Sequence, residues 1–104
     1  MSLLLLGKKY RGNMVYWKIE FSPKADKDLE KIDHTSKKEI RNYLNKRVLK
    51  LEHPKQVGKP LRKDLKGLWR YRIGKFRIIC DIQEDKLIIL VIKIGERDGV
   101  YYSD

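Results

Sequence analysis

One segment of the sequence alternates apolar or aromatic residues with cations on both sides of a Gly-Lys pair, and it constrains the fold more than any other feature. The segment, residues 59–77, reads KPLRKDLKGLWRYRIGKFR. Alternation with a period of two is typical of half-buried strands, and Gly74 and Lys75 predict a two-residue turn between two of them. The predicted β-hairpin carries Arg70, Arg72 and Arg77 on one face and Trp69, Tyr71 and Ile73 on the other.

The arginine face of this hairpin has two interpretations. The predicted register places Arg72 opposite Arg77, and like charges that face each other destabilise a sheet unless an anion, solvent or an acidic residue screens them. A solvated outer face is one explanation of this pattern. We favour phosphate binding, because guanidinium groups form bidentate hydrogen bonds with phosphate oxygens and arginine outnumbers lysine on these strands.

The charge balance of the whole chain also favours a polyanionic partner. Its 104 residues include 25 Lys and Arg but only 14 Asp and Glu, a formal net charge of +11. Such a surplus attracts nucleic acid, an acidic protein or an anionic membrane surface, although it says nothing about the fold. A chain of this length supports one hydrophobic core, and hence one domain.

The first 13 residues, MSLLLLGKKYRGN, are expected to lie outside the fold. Four consecutive leucines are too few for a signal-peptide core or a membrane span. We therefore interpret residues 1–13 as a leader or an artificially added tail, and residues 14–104 as the folded domain. The single cysteine, Cys80, lies in an apolar run and is interpreted as a buried strand residue. Because no disulfide can form within the chain, we expect a cytoplasmic protein. We expect no membrane partner.

The succession of apolar patterns predicts an α+β fold with the element order βααβββ. A strand begins at Met14, Ser22 and Pro23 begin a short helix, and a capping box at residues 36–39 begins a second helix. The helical hairpin is expected to pack on one face of a small, mainly antiparallel, twisted sheet. The last strand, residues 87–94, is nearly all apolar and is expected to be central and buried on both faces.

The sequence contains no recognisable set of metal ligands or nucleophiles. The first helix carries Asp26, Asp28 and Glu30 among lysines, and we interpret these carboxylates as a solvated face. Any hydrolysis is therefore expected to need neither a metal nor another cofactor. Such a site can cleave RNA, because cations stabilise the phosphorane while a base and an acid serve the 2′-hydroxyl and the 5′-oxygen. DNA lacks that hydroxyl.

Further candidate residues follow the last predicted strand, in the ending GERDGVYY. Arg97 is expected to emerge close to the arginine face, and Tyr101 and Tyr102 either stack on bases or pack at the edge of the domain. Cations of the basic loop and the hairpin turn are also expected to bind the substrate. They are Lys59, Arg62, Lys63, Lys66 and Lys75.

The residues GKPLRKDLKGLWRYRIGKFRIICDI (58–82) and the ending VIKIGERDGVYY (91–102) resemble the RelE/ParE toxin superfamily, and the ending resembles its RelE branch. The resemblance covers residues 14–104. It implies the toxin of a type II toxin-antitoxin system, a ribosome-dependent endoribonuclease that cleaves mRNA in the A site of the 70S ribosome. It also implies a RelB-like antitoxin that inhibits the toxin and through which the complex binds operator DNA.

The resemblance implies roles for individual residues. Those that match catalytic positions of the family are Arg70, Arg72, Arg77, Arg97 and Tyr101. Arg77 and Arg97 match arginines that bind phosphate and stabilise the transition state, whereas Arg70 and Arg72 stand where well-studied members carry lysines. Many relatives have histidine in place of Glu96. Glu96 is then either a proton-transfer group or an exposed carboxylate beside Arg97, since arginine stays protonated and is a poor base.

The sequence is also compatible with two other functions. A ParE-like toxin that inhibits DNA gyrase shares the fold, although ParE chains generally lack the catalytic type of ending. A catalytically weakened homologue that mainly binds antitoxin is the other alternative, because arginine replaces lysine and glutamate replaces histidine at the positions named above.

Overall fold

The computed structural model describes residues 4–10, 13–62 and 67–96, which form one sheet and a pair of helices. The strands are β1 (Leu4–Tyr10), β2 (Asn13–Phe21), β3 (Lys59–Pro60), β4 (Trp69–Ile73), β5 (Phe76–Gln83) and β6 (Ile88–Glu96). The helices are α1 (Pro23–Glu30) and α2 (His34–Asn42), and a π-helical segment, Tyr43–Val48, continues α2.

The described strands form a six-stranded sheet in the order β1-β2-β6-β5-β4-β3. The pair β2–β6 is parallel, whereas the other neighbouring pairs are antiparallel. The two helices carry the chain away from β2, and the meander β4-β5-β6 returns it to the side of β2. This arrangement confirms the predicted α+β class, the mainly antiparallel sheet and the central position of the last strand.

The N-terminal segment differs from its prediction. Residues 1–13 are predicted to lie outside the fold, but Leu4–Tyr10 form β1, which pairs antiparallel with β2 from Leu4–Ile19 to Tyr10–Asn13. An edge strand offers unpaired backbone groups, and β2 has such an edge on the side away from β6. The described sheet therefore begins within the predicted leader.

Side-chain caps set the beginning of both helices. Ser22 Oγ accepts a hydrogen bond from Ala25 N at 3.0 Å, and Pro23 is the first residue of α1, as predicted. α2 begins before the predicted capping box, since Asp33 is the N-cap and its Oδ2 accepts from Ser36 N at 3.0 Å. The hydrogen bond from the Ser36 backbone favours the ionised form and lowers the pKa of the Asp33 carboxyl.

The helices pack on one face of the sheet, as predicted, and form the main hydrophobic core there. The core residues from the strands include Trp17, Ile19, Phe21, Tyr71, Ile73, Ile78, Ile89 and Val91, and those from the helical segments include Ala25, Leu29, Ile40, Leu44 and Val48. Cys80 belongs to the same core, which confirms its interpretation as a buried strand residue. Burial raises the pKa of its thiol, because the charged thiolate loses its hydration.

The central strand β6 is not buried on both faces, so that prediction is wrong. Ile89, Val91 and Ile94 are buried toward the helices, whereas the residues between them are half-buried. A β-bulge interrupts the pairing with β5, because Ile79 pairs with Lys93 but the next residue, Cys80, pairs with Val91. The extra residue shifts the alternation by one, so that Lys93 lies on the face away from the helices.

Candidate functional site

The β4–β5 hairpin has the register that its turn predicts. Arg72 pairs with Arg77 across the turn, and Gly74 has a φ of 58°, the left-handed conformation that tight hairpin turns require. Arg70 lies two residues before Arg72 on the same strand and therefore on the same face. The three arginines share the sheet face that is turned away from the helices.

Two rows of residues cross this helix-free face of the sheet. In the first row Arg72 of β4 lies beside Arg77 of β5, which lies beside Gly95 of β6. The second row runs through Lys59, Arg70, Ile79 and Lys93. Residues opposite each other on neighbouring strands have Cβ atoms about 4.5–5.5 Å apart. We call Lys59, Arg70, Arg72, Arg77 and Lys93 the cationic face.

The arginines of the cationic face differ in burial. Arg72 is exposed, whereas Arg70 and Arg77 retain only 7% and 4% of their accessible surface. An apolar cluster on the same side of the sheet contains buried Leu61 and Ile79. Two guanidinium groups are thus held in packed surroundings, which a fully solvated outer face does not require. Arg77 Nη1 also donates to the Phe76 carbonyl oxygen at 3.2 Å.

A cleft of about 170 Å³ lies at the edge of the sheet next to the cationic face. It is lined by Tyr43, Gly58, Lys59, Arg70 and Arg72. The cleft joins three cations to one aromatic ring, which is the combination of groups that binds the backbone and a base of a single-stranded nucleic acid.

Two side chains of β4 hold the loop that forms one wall of this cleft. Trp69 Nε1 donates to the Val57 carbonyl oxygen at 2.8 Å, and the Tyr71 hydroxyl donates to the Pro54 carbonyl oxygen at 2.6 Å. Gly58 follows with a φ of 85°, and a Cβ atom there would lie 2.5 Å from the Arg70 carbonyl oxygen. The approach of the loop to β4 therefore requires glycine.

Tyr43 is a candidate site residue that the sequence did not reveal, because its spacing fits the apolar stripe of the second helix. In the structure it is only half-buried, and its ring centroid lies 6.1 Å from that of Tyr71. The chain becomes π-helical at Tyr43, with Leu49 N donating to the Leu44 carbonyl oxygen five residues back. Tyr43 itself keeps the hydrogen bonds of α2 to the Glu39 and Ile40 carbonyl oxygens, packs against the core and also lines the cleft.

Lys93 is the second candidate that the sequence analysis missed. It is half-buried and lies beside Ile79 on the cationic face. A lone cation within the apolar run LIILVIKI was the available signal, since a charged residue is rarely buried on both faces of a strand.

Glu96 and Lys75 lie apart from the cationic face. Glu96 pairs with Phe76 in the sheet, so its side chain is on the face opposite to Arg77. Its Oε2 lies 3.8 Å from Lys75 Nζ, and both side chains are largely exposed. Lys75 Nζ is also 5.5 Å from the centre of the Phe76 ring. This geometry favours the interpretation of Glu96 as an exposed carboxylate.

Two of the remaining predicted site residues, Lys59 and Arg62, lie in the described part of the basic loop. Lys59 pairs with Arg70 on the cationic face, and Arg62 is exposed just after the buried Leu61. Five predicted residues lie outside the described part of the chain. They are Lys63, Lys66, Arg97, Tyr101 and Tyr102.

A second cleft, of about 310 Å³, lies on the outer surface of the helices. Its lining contains four basic or potentially basic residues and no acid. The lining residues are His34, Lys37, Lys38, Arg41, Asn42 and Asn45. Cations thus lie on both the helical side and the sheet side of the domain.

The described residues lack the features of a membrane span and of a metal centre. None of their helices is both long and apolar enough to cross a bilayer. No three or more of their His, Cys, Asp and Glu side chains cluster in a way that would hold a metal ion.

Fold and site together define a class: a small basic α+β domain with arginines on the helix-free face of its sheet. The sequence profile of the ParE toxin of type II toxin-antitoxin systems, parDE, matches residues 19–101. The chain therefore belongs to this toxin family, within the RelE/ParE superfamily.

Two curated toxins of Mycobacterium tuberculosis are similar to part of the chain. Toxin RelG is 31% identical over 48 residues, which are 46% of this chain and 55% of RelG. Toxin RelE is 37% identical over 51 residues, which are 49% of this chain and 53% of that toxin. The matched region thus spans about half the length of each relative.

Three solved structures have the same fold. The toxin-antitoxin complex RelBE2 of M. tuberculosis has a chain with a TM-score of 0.69 and 24% identity, over 76% of this chain and 88% of that one. A double arginine-to-alanine mutant of the Escherichia coli toxin RelE, in the free state, has a TM-score of 0.62 and 18% identity, over 78% of this chain and 83% of the RelE chain. YafQ of E. coli has a TM-score of 0.55 and 19% identity, over 80% of this chain and 96% of the YafQ chain. These similarities confirm the RelE-like fold.

Proposed function

We propose that this protein is the toxin of a type II toxin-antitoxin system and acts as a ribosome-dependent endoribonuclease that cleaves mRNA in the ribosomal A site. The observation that carries the proposal is the row formed by Arg72, Arg77 and Gly95 across the helix-free face. The row places the exposed guanidinium of Arg72 beside the buried guanidinium of Arg77, and glycine adds no side chain at the third position. Family membership and the similarity to RelE and RelG support the same function.

The proposed reaction is an internal transesterification. The 2′-oxygen of a ribose attacks the adjacent phosphorus, the bond from phosphorus to the 5′-oxygen breaks, and a 2′,3′-cyclic phosphate and a 5′-hydroxyl end result. One proton leaves the 2′-hydroxyl for a base, and an acid returns one to the 5′-oxygen. Negative charge accumulates on the non-bridging oxygens between these steps, and fixed cations stabilise it.

We assign the electrostatic part of this reaction to the arginines. Arg77 is buried in the centre of the row and holds one position, whereas exposed Arg72 beside it reaches toward the phosphate. Arg70 and Lys59 of the second row neutralise the neighbouring phosphate. Guanidinium stays protonated near neutral pH, so these residues transfer no proton. Arg97 and Tyr101 keep the catalytic roles that the family resemblance implies, whereas Glu96 is assigned no proton transfer, because its side chain lies on the face opposite to Arg77.

Substrate binding is proposed to extend into the cleft at the sheet edge. Tyr43 there offers an aromatic ring beside Lys59, Arg70 and Arg72. A base stacked on such a ring contributes about 1–3 kcal/mol in single-strand binders. The basic loop, the hairpin turn and the ending are proposed to supply further contacts. These residues are Arg62, Lys63, Lys66, Lys75 and Tyr102.

The proposed partners follow from the charge and the family. The net charge of +11 favours the phosphate-rich surface of the 70S ribosome and of mRNA. A RelB-like antitoxin is proposed to neutralise the toxin with acidic residues or an apolar helix, and operator DNA is bound only through that antitoxin. The toxin-antitoxin complex RelBE2, one chain of which shares the fold, supports an antitoxin partner.

Expression in cells tests the proposal. Induction without an antitoxin is expected to arrest growth and to produce new 5′ ends within translated messages, and the same messages are expected to remain intact when their start codons are removed. Growth arrest with intact translated messages would contradict the proposed reaction.

A second candidate function is the inhibition of DNA gyrase, which the match to the ParE profile favours. A gyrase supercoiling assay with the purified protein separates the two functions. Inhibition of supercoiling together with intact mRNA would select the gyrase-inhibiting toxin, and cleavage without inhibition would select the endoribonuclease. A protein that binds antitoxin but does neither would be the weakened homologue.

A further inference from the structure

The two halves of β6 have different partners on the side away from β5. The first half pairs in parallel with β2, and the last pair of this ladder is Phe21 with Val91. The chain then leaves the sheet, although Ser22 N still donates to the Val91 carbonyl oxygen at 2.9 Å. From Ile92 onward, none of the described strands covers this side of β6.

Side chains of the α1 region replace the missing strand. Ser22 Oγ donates to the Ile92 carbonyl oxygen at 3.1 Å, and Asp28 Oδ2 accepts from Ile94 N at 2.9 Å. The other oxygen of Asp28, Oδ1, accepts from Lys24 Nζ at 2.6 Å. The backbone groups that follow the bulge at Ile92 are thus bound by α1 instead of by a strand.

Asp28 is predicted to lie on a solvated face of its helix, and this prediction is wrong. Only 9% of its surface is exposed, and its bond to Ile94 is buried. Removing a carboxylate from water is unfavourable unless charged or hydrogen-bonding groups compensate, and here one backbone N–H and one ammonium group do so. The buried carboxylate of Asp28 is therefore hydrogen-bonded to one backbone position of β6, Ile94.

The anchored position lies within the functional site. Lys93 precedes Ile94 and completes the second row of the cationic face, and Gly95 follows it and lies beside Arg77. The segment with Arg97 and Tyr101 follows β6 in the sequence. A displacement of the end of β6 therefore changes the position of Gly95 beside Arg77. It also displaces the point from which the chain continues toward Arg97 and Tyr101, to which the family resemblance assigns catalytic roles.

We propose that Asp28 is a positioning residue, whose hydrogen bond to Ile94 N fixes the end of β6 against Arg77 and thereby orients the residues that act on the phosphate. The effect of Asp28 on catalysis rests on the proposed endoribonuclease function, whereas the anchoring of β6 by Asp28 does not. Asp28 itself touches no substrate. Its effect is expected in the rate of cleavage and not in the affinity for the ribosome.

Four variants test the proposal. Asp28→Ala removes the acceptor, Asp28→Asn keeps an oxygen acceptor without the charge, and Lys24→Met removes the ion pair but leaves the acceptor. Asp26→Ala is the matched control, because it removes an acid from the same helix. Amide hydrogen exchange at Ile94 and at Ile78 of β5 reports the hold on β6, and cleavage of ribosome-bound mRNA gives kcat and KM.

With Asp28→Ala, amide exchange at Ile94 is expected to accelerate about tenfold or more while Ile78 is unchanged, because a hydrogen bond to a charged group is lost. The kcat is expected to fall about tenfold or more at an unchanged KM, since small misplacements of reacting groups are costly. Asp28→Asn and Lys24→Met are expected to retain most of the protection and rate, and Asp26→Ala to match the wild type.

Equal acceleration of exchange at Ile94 and Ile78 would overturn the proposal, because Asp28 would then support only global stability. An unchanged kcat despite local exchange at Ile94 would also overturn it. If the wild type cleaves no mRNA and the proposed function fails, the exchange pattern alone decides whether Asp28 holds β6.

Discussion

Arg72 and Arg77 lie directly opposite each other across the Gly74 turn, yet Arg72 is exposed while Arg77 keeps only 4% of its surface accessible. The pair thus combines a cation held in packed surroundings with one that is accessible to solvent. Substitutions at the two positions are expected to differ, because only the exposed arginine can be removed without disturbing the packing.

Replacement of Arg72 is expected to weaken RNA binding without unfolding the domain. Arg72→Ala removes an exposed side chain, so the free energy of unfolding is expected to change by less than about 0.5 kcal/mol. The slope of log affinity against log salt is expected to fall by about 0.7, the contribution of one phosphate contact in single-stranded nucleic acid. Titration of labelled single-stranded RNA at several salt concentrations measures this slope.

Lys86→Ala is the matched control for Arg72→Ala. Lys86 is an exposed cation in the turn between β5 and β6, at the end of β5 opposite to Gly74. It carries the same charge but is distant from the cationic face in the hairpin. Equal losses of slope in the two variants would show that net charge, and not the cationic face, determines RNA binding.

Gly58 is expected to be the most sensitive of the described glycines. An alanine there meets the Arg70 carbonyl oxygen and Trp69 Nε1, each at 2.5 Å, at a φ of 85°. Gly58→Ala is expected to lower the free energy of unfolding by about 3 kcal/mol or more. The same substitution at Gly67, which has a φ of 95° and no atom within 4 Å of the added Cβ, isolates the backbone strain, expected to be about 1 kcal/mol.

Urea unfolding followed by circular dichroism measures both glycine variants. A loss at Gly58 no larger than the loss at Gly67 would mean that the loop moves away from β4 without cost. The hydrogen bonds of Trp69 and Tyr71 to this loop would then not fix the cleft.

The N-cap of α2 is expected to weaken in acid. The hydrogen bond from Ser36 N lowers the pKa of Asp33 in the folded state, so the unfolded chain binds this proton more tightly. The resulting stabilisation is complete above the unfolded pKa of about 3.9 and is lost as the pH falls through the lower folded value. Asp33→Asn keeps a capping oxygen but does not titrate.

Urea midpoints between pH 6 and pH 2 compare the wild type with Asp33→Asn. The difference between the two midpoints is expected to change in favour of the variant as the pH falls below 4. A difference that is constant with pH would show that the carboxylate of Asp33 does not stabilise the folded state.

Cys80 is expected to be inert toward thiol reagents in the folded protein. It is fully buried in β5, and burial raises the pKa of its thiol, so that little thiolate is present near neutral pH. The rate of iodoacetamide labelling is expected to follow the unfolded fraction as urea is added. Labelling in the absence of urea at the rate of a free cysteine would contradict the described core.

The sequence predicts the parts of the fold in which local patterns and packing agree. Alternation in β4 and β5 with a Gly-Lys turn defines the hairpin register, and Ser22 with Pro23 defines the start of α1. The capping box at residues 36–39 has the right pattern, but Asp33 lies three residues earlier and captures the Ser36 N–H first. Competing caps of this kind are decided by backbone geometry and not by residue type.

Other features depend on long-range contacts that local patterns do not contain. The strand β1 lacks alternation and is defined by the available edge of β2. The bulge at Ile92 brings Lys93 to the cationic face, and the loop at Gly58 together with β4 forms a cleft beside Tyr43. The burial of Asp28 depends on the backbone N–H of Ile94, 66 residues away, which donates to the carboxylate instead of to a neighbouring strand. Single residues that break a local pattern, such as Lys93 in its apolar run, are the signals available in advance.

We propose that this toxin-family protein cleaves mRNA on the ribosome with the arginines of its sheet. Primer extension on a defined mRNA in a purified translation reaction tests it most directly, with the wild type beside Arg72→Ala, Arg97→Ala and Lys86→Ala. We expect cleavage within the A-site codon by the wild type and by Lys86→Ala, and a loss of about 100-fold or more in rate for Arg97→Ala, with a smaller loss for Arg72→Ala. Intact A-site message with the wild type, or equal cleavage by all four proteins, would contradict the claim.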